Sequence, residues 1–396
     1  MMKKLRIKKE IIGFFVIILI CFIMFFSHYL NSNHYEGQFS GIISDGDRSQ
    51  VAVCDIEEGT FTVIKDLDPS EYIEYATIND KGNIIAYTKW NDTLNNQYLI
   101  IESTLDSKVI YGEVDDTHKN SKIYTPILIH EGKDIICVRA EENSGYPNEK
   151  LVLFNLNNQS EQIVDFGELA LINSDKDNQN NELSISGETE ADEEAKIQIN
   201  NQIELDRFLK KYHARQTKLE DAGTRLFVRY SRPAFDAKNN QIIYAKTLYR
   251  NMARQGEGVI LSSGIWTYDI ASDAKQFIYG AEDKCLIGKI DINPNGSAII
   301  FSESTETGEN GKIMEFSLDG SEKIRCLVKP NEEHYANLDP MYLNDQTITY
   351  LSVAKDDWLE NAVRYVLDLQ NMNTREITLK YEDKPELIKF FNRIYQ

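Results

Sequence analysis

The feature that most constrains this chain is a phrase repeated five times: an apolar run, a polar turn carrying Gly, Asn or Asp, then a second apolar run. It reads YATINDKGNIIAY from Tyr75 to Tyr87, PILIHEGKDIICV from Pro126 to Val138, PAFDAKNNQIIYA from Pro233 to Ala245, IDINPNGSAIIFS from Ile290 to Ser302 and PMYLNDQTITYL from Pro340 to Leu351. The first isoleucine of each second run is Ile84, Ile135, Ile242, Ile299 or Ile348, giving steps of 51, 107, 57 and 49 residues. A period near 50 is the length of a four-stranded propeller blade, and the step of 107 is one repeat plus an insertion.

Two further strand-like runs follow each phrase, for example QYLIIES with KVIYGEV and KIMEFSL with KIRCLVK. They are rich in Ile, Val, Tyr and Phe, as half-buried strands are. Near the start, GQFSGIIS, QVAVCDI and TFTVIKDL supply three strands of a blade short of its innermost one. The C-terminal ELIKFFNRIY is the candidate for that strand, which would close the ring and leave no blade incomplete. The competing reading is an amphipathic helix on Leu387, Phe390, Phe391 and Ile394. The fold class expected is all-β, a six-bladed propeller over residues 36–396.

INDKGNIIAY at Ile78 to Tyr87 and NPNGSAIIFS at Asn293 to Ser302 resemble the WD40-like repeat of TolB-type β-propellers, whose consensus sets a Pro-Asp-Gly turn before an apolar strand. The resemblance covers most of residues 36–381. The turns at Glu131-Gly132, Lys238-Asn239-Asn240 and Asn344-Asp345 depart from it, so blades three, four and six are placed by spacing. What the resemblance implies is a recognition platform, often outside the cytoplasmic membrane, with no particular ligand.

Residues 11–30 form an apolar stretch broken only by Gly13, Ser27 and His28, long enough as a helix to span about 30 Å of bilayer core. The preceding tail, residues 1–10, sets Lys3, Lys4, Arg6, Lys8 and Lys9 against Glu10, which predicts a cytoplasmic N-terminus and an extracytoplasmic remainder. The alternative, a cleaved signal peptide, wants small residues at the exit, where this chain has Phe25, Phe26, Ser27, His28 and Tyr29. The whole chain carries a net charge of -20, which repels phosphate backbones, so nucleic acid is not among the expected partners. Five cysteines show neither C-x-x-C nor metal spacing and read as small strand residues.

The insertion, placed at 168–230 between the third and fourth blades, begins with an acidic stretch from Asn173 to Gln202 expected to be a loop. A short helix is expected from Glu204, on the spacing of Leu205, Phe208, Leu209 and Tyr212. Asn173, Asp175 and Asp177 alternate like the start of a calcium loop, but Asn178 stands where the loop glycine belongs. His130-Glu131 begins like a zincin motif and lacks the second histidine. No nucleophile elbow, P-loop or dinucleotide glycine pattern occurs, and no cofactor or metal is expected.

Two functions remain. One is a non-enzymatic propeller, anchored through residues 11–30, that recognises a protein, peptide or envelope polymer. The other is a glycan hydrolase or lyase with its site at the axial channel. The innermost strands read Ile78, Leu128, Phe235, Ile292 and Tyr342, an apolar series that favours the scaffold. In a four-stranded antiparallel blade, the first-to-second and third-to-fourth turns share one face, and the other connections share the opposite face. Nearly every long connection falls in the second set, so the recognition residues expected are Trp90, Tyr146, Tyr249, Arg250, Arg254 and Trp358.

Overall fold

The computed structural model describes residues 38–44, 49–56, 59–66, 72–91, 96–105, 109–112, 121–143, 146–166, 225–251, 258–282, 284–321, 323–332, 334–354, 362–377, 380–381, 384–385 and 387–393. The basic tail, the expected membrane segment at 11–30, the acidic stretch and the expected helix from Glu204 lie outside these. Among the described residues, no helix is long and apolar enough to cross a membrane.

The strands follow the repeat. In chain order, the first three are β1 (Phe39–Ser44), β2 (Ser49–Asp55) and β3 (Thr60–Asp66). Blade 2 is β4 (Tyr72–Ile78), β5 (Ile84–Asn91), β6 (Asn96–Ser103) and β7 (Val109–Gly112). Blade 3 is β8 (Ser121–Ile129), β9 (Asp134–Asn143), β10 (Tyr146–Asn155) and β11 (Ser160–Phe166). Blade 4 has a divided first strand, β12 (Arg225–Tyr230) and β13 (Ala234–Asp236), then β14 (Gln241–Asn251), β15 (Gly258–Asp269) and β16 (Ala274–Gly280). Blade 5 is β17 (Cys285–Ile292), β18 (Ala298–Thr305), β19 (Lys312–Ser317) and β20 (Ile324–Val328). Blade 6 is β21 (Ala336–Asn344), β22 (Thr347–Val353), β23 (Val363–Asp368) and β24 (Thr374–Ile377). A small pair, β25 (Lys380–Tyr381) and β26 (Lys384–Pro385), leads to β27 (Leu387–Arg393).

β27 lies beside β1, giving blade 1 the order β27-β1-β2-β3, with Phe39 opposite Arg393 and Ser44 opposite Leu387. The C-terminal segment is thus the closing strand, not the amphipathic helix. Its apolar residues suit either state in isolation, and the open ladder of β1 decides between them by accepting backbone hydrogen bonds. The insertion expected over 168–230 gives up its last residues to β12, which pairs with β14 from Arg225 opposite Asn251 to Tyr230 opposite Lys246.

Blades meet through apolar seams. Ile42, Val51 and Val53 pack on Ile73, Ile78 and Ile85, and Leu99 and Ile101 pack on Leu128, Ile135 and Val152. One cluster joins blades 3, 4 and 5 through Ile136, Leu151, Phe235, Tyr244, Ile292 and Phe301. Ile300 and Ile313 meet Tyr342 and Ile348, and Phe39, Cys54 and Ile56 close the circle against Met341, Val366 and Ile377. Burying each such side chain contributes roughly 1.5–3 kcal/mol, so the ring is held chiefly at its seams. The apolar series Ile78, Leu128, Phe235, Ile292 and Tyr342 belongs to these seams. Those residues therefore report on blade packing rather than on the axis, and they do not discriminate a scaffold from an enzyme as their apolar character suggests in the sequence.

One regularity is not visible in the repeat. In every blade, the first strand carries at least one residue more than the second strand opposite it, and in blade 6 it carries two, with a further slip between Tyr342 and Asn344. The ladder slips between Ile73 and Tyr75, between Tyr124 and Ile127, between Ile287 and Ile290 and between Leu338 and Met341. It slips likewise between Tyr230 and Ala234 in blade 4, and in blade 1 between Phe391 and Ile388 opposite Gly41 and Ile43. A bulge bends and twists a strand, which fits the first strands to the crowded axis. It also frees one backbone N–H from the ladder, the place where Pro126, Pro233 and Pro340 are tolerated. Thr125 and Asp339, each just before a proline, hold left-handed φ values of 50° and 50° there. At Gly288 a Cβ would lie 2.3 Å from Ser302 Oγ, so a larger residue there would force the Ser302 hydroxyl to turn away.

Candidate functional site

The face that carries the first-to-second turns is bound into a belt. In blade 2, Asn79 is buried and its Oδ1 accepts the N–H groups of Asn83 and Ile84, each at 3.0 Å, while Gly82 takes the left-handed conformation at φ 63°. Asn293 repeats this in blade 5, accepting from Ser297 at 2.8 Å and Ala298 at 2.9 Å, with Gly296 at φ 73°. These side chains supply the acceptors that a tight turn leaves missing, which is why the phrase writes Asn before a Gly.

Each turn then reaches the next. Asn79 Nδ2 donates to Glu131 O at 3.2 Å and Lys81 pairs with Glu131 at 3.1 Å. His130 Nε2 lies 2.8 Å from Asn240 Oδ1. Lys238 Nζ donates to Asn295 O at 3.3 Å, and the N–H of Asn295 to Asp345 Oδ1 at 3.2 Å. Blades 2 to 6 are thus tied turn to turn. Contact with Lys81 and Lys133 holds the exposed Glu131 carboxyl below its ordinary range.

On the opposite face the second-to-third connections are not loops but paired arms. β5 and β6 stay paired out to Asn91 opposite Asn96, β9 and β10 to Asn143 opposite Tyr146, and β14 and β15 to Asn251 opposite Gly258. The excursions read as loops from their polar residues are therefore largely ladder in blades 2, 3 and 4. Polarity misleads because backbone pairing can hold a ribbon together without apolar alternation along it.

The expected recognition residues lie on or beside these arms. Trp90 is near the end of β5, paired with Tyr72 and Gln97, and Tyr146 is the first residue of β10. Arg250 follows Tyr249 on β14, opposite Leu226 and Val259. Arg254 and Trp358 lie outside the described residues. Tyr249 itself is buried: its ring stacks on Phe227 of β12 with centroids 5.1 Å apart and planes 7° from parallel. The Arg229 guanidinium sits over both rings, 5.6 Å from Phe227 and 5.8 Å from Tyr249. Sequence reasoning misses Phe227 and Arg229 because β12 falls within the expected insertion. The alternation in RLFVRY is the available signal.

Buried charges bridge seams. Asp339, on a bulge, pairs with Lys289 of blade 5 at 3.0 Å and with Arg364 at 2.8 Å. Burial opposes its ionisation, but the two cations hold its carboxyl below the ordinary range; burial lowers Lys289 to about 8. Asp165 meets Lys246 at 3.1 Å and Lys275 at 3.5 Å between blades 3 and 4, and Glu303 meets Lys312 at 3.1 Å and the Tyr279 hydroxyl at 2.7 Å. Glu149 of β10 accepts the Tyr230 N–H at 2.7 Å, and burial raises its carboxyl to about 7. Among the described residues, one group has metal-ligand geometry, Glu282, Cys285 and Glu303, and the Lys312 ammonium already pairs with both carboxylates.

No known protein family matches the sequence, and no curated protein is similar to it in sequence. Solved structures do resemble it in fold. TolB from Acinetobacter baumannii is 10% identical over 86% of this chain and 63% of its own, with a TM-score of 0.48. An oligogalacturonate lyase from Vibrio parahaemolyticus is 8% identical over 87% of this chain and 80% of its own, with a TM-score of 0.46. The hydrazine synthase of Kuenenia stuttgartiensis is 10% identical over 88% of this chain and 45% of its own, with a TM-score of 0.50. This chain spans less than two thirds of the TolB and hydrazine synthase chains. At such identities the likeness is one of fold. The six blades agree with the propeller expected from the repeat.

Proposed function

We propose that this chain is a non-enzymatic, membrane-anchored extracytoplasmic propeller that recognises a protein, peptide or envelope polymer on its arm face. The observation that carries the reading is the asymmetry of the ring: one face is tied turn to turn, while on the other the strands of three neighbouring blades stay paired as long ribbons. Recognition residues concentrate on projections held by a rigid scaffold. Four carboxylates support the same reading, since the buried Glu149, Asp165 and Glu303 and the half-buried Asp339 are each engaged across a seam.

The anchor adds an orientation. β1 begins at the short-turn face, because its first residue, Phe39, pairs with Cys54 near the β2–β3 turn. Residues 31–38 separate it from the apolar stretch, and at roughly 3.5 Å per extended residue that tether reaches no more than about 30 Å. The tied face then looks toward the membrane and the arms look away. Protease added to intact cells is expected to digest the propeller; its protection, or a mature N-terminus beyond Leu30, would overturn the topology. Alanine at Trp90, Arg254 and Trp358 is expected to abolish recovery of the partner from the envelope. The same loss from substitutions at Lys81 and Asn295 instead would reverse the assignment of the face.

A further inference from the structure

Among the described residues, three large apolar side chains stand exposed: Leu105, Ile324 and Met372, at 84%, 41% and 47% of their full accessible area. All three lie on third-to-fourth connections, which belong to the short-turn face. Leu105 follows β6, Ile324 opens β20, and Met372 sits in the turn between β23 and β24. Scattered apolar residues on a surface need no explanation, but three confined to one kind of connection do.

The turns that carry them are held rigidly. In blades 2 to 6, one backbone hydrogen bond pins the third-to-fourth turn to the first-to-second turn of the same blade. The N–H of Thr104 donates to Asn83 O at 3.0 Å, Leu156 to Lys133 at 2.9 Å, Ile270 to Asn240 at 3.3 Å, Leu318 to Ser297 at 2.7 Å and Leu369 to Gln346 at 2.8 Å. The pins allow comparison position by position. Three residues beyond the pin stand Gln159 in blade 3, Asp273 in blade 4 and Met372 in blade 6, with left-handed φ values of 55°, 59° and 58°. Short polar residues and glycine suit that conformation, so a methionine there serves no need of the turn itself.

The apolar tips are also placed unevenly around the ring. They come from blades 5, 6 and 2, on either side of blade 1, which packs on blade 6 through one seam and on blade 2 through the other. The corresponding turns of blades 3 and 4 read Asn157-Asn158-Gln159 and Ala271-Ser272-Asp273. Blade 1 is where the chain arrives from the apolar stretch: β1 starts on this face after residues 31–38, a tether of no more than about 30 Å. A ring anchored there meets the bilayer first along the arc that carries the tips.

We infer that the rim of the short-turn face at blades 5, 6 and 2 is a bilayer-contact surface, with Leu105, Ile324 and Met372 entering the headgroup region and seating the ring beside its anchor. This rests on the anchored reading given above. The net charge of -20 opposes an anionic leaflet, so the attraction is apolar and needs no particular headgroup. Three side chains are few for holding a free protein on a membrane, and the tether supplies what they lack by making each encounter intramolecular. Seated in this way, the ring cannot swing on its tether, and the arm face stays turned away from the bilayer.

The test is tryptophan quenching in the full-length protein, reconstituted into phosphatidylcholine vesicles with or without bromine on the acyl chains. Leu105→Trp and Met372→Trp are compared with Gln159→Trp, which sets the same ring at the matching turn position of blade 3; Trp90, Trp266 and Trp358 give all three an equal background. The ring added by Leu105→Trp or Met372→Trp is expected to lose about half its emission to bromine, because interfacial side chains lie roughly 5–10 Å into the headgroup and acyl boundary. Gln159→Trp is expected to lose none, and adding Ile324→Ser and Met372→Ser to Leu105→Trp is expected to weaken its quenching. Either rim variant suffices should the other fail to fold. Equal quenching at all three positions, or none at any, would overturn the inference. So would blue-shifted emission at the rim that ignores bromine, the mark of a second copy covering it. Flotation of the same samples separates the two readings: a protein that does not float with the vesicles defeats anchor and seat together, whereas one that floats without selective quenching defeats the seat alone.

Discussion

The two faces of the ring are built from the same strands and differ in what the connections do. On the short-turn face, Asn79, Asp236 and Asn293 are buried, each satisfies its own turn, and the turns are linked to their neighbours. On the arm face, the strands of blades 2, 3 and 4 run past the seams as paired ribbons. Inter-turn hydrogen bonds cost a face its freedom to vary, since each turn must match the next. Arms have only their own pairing to satisfy, which leaves their side chains open to other purposes. The contrast teaches that stability and recognition can be segregated by face on a propeller, even though every blade contributes to both.

The most severe way to break this contrast is to open the ring. Deleting Glu386 to Gln396 removes β27, exposes the β1 ladder and takes away the strand that completes blade 1. The truncated protein is expected to aggregate or to melt more than about 10 °C lower, because an unpaired edge and a split core together cost several kcal/mol. Unchanged melting would make the tail peripheral.

Next in size is Tyr249→Ala, a substitution on an arm that should behave like one in a core. The ring is buried against Phe227, so its removal is expected to cost about 3 kcal/mol in urea unfolding, with Tyr249→Phe within about 1 kcal/mol of wild type. A neutral Tyr249→Ala would instead mark this residue as one that serves a partner. On the tied face, Asn293→Ala removes the acceptor of the buried Ala298 N–H, while the Ser297 N–H keeps Asn295 Oδ1, with an expected loss of about 1–3 kcal/mol. Lys81→Ala is the smallest: its exposed pairing with Glu131 is screened by water and salt, and melting is expected to stay unchanged within error at physiological ionic strength.

Particular elements show why some of this was legible in the chain. The turn phrase at Ile78 to Tyr87 announces itself because Asn79 and Gly82 each meet a local requirement, one an acceptor for nearby N–H groups and the other a positive φ. ELIKFFNRIY cannot be assigned locally, since its apolar residues satisfy two periods at once. β12 is lost into the insertion because its partner, β14, follows only after the bulge and β13. Of the candidate site, Trp90, Tyr146 and Arg250 do stand along the arm-side connections, whereas Tyr249 joins them on residue type alone. Its stacking partner Phe227 comes from another strand, and no property of the Tyr249 neighbourhood in sequence distinguishes a buried ring from an exposed one.

The sequence by itself determined the repeating unit, the composition of its turns and the count of blades, because these rest on contacts between residues a few positions apart. Only the tertiary structure decided that β27 closes on β1 and that His130 and Glu149 both reach from blade 3 to blade 4. Those features join residues separated by 81, 110 or more positions, and their energies depend on where a neighbouring blade places an acceptor, a ring or an open edge. Such placement is a property of the closed ring, which no single repeat contains.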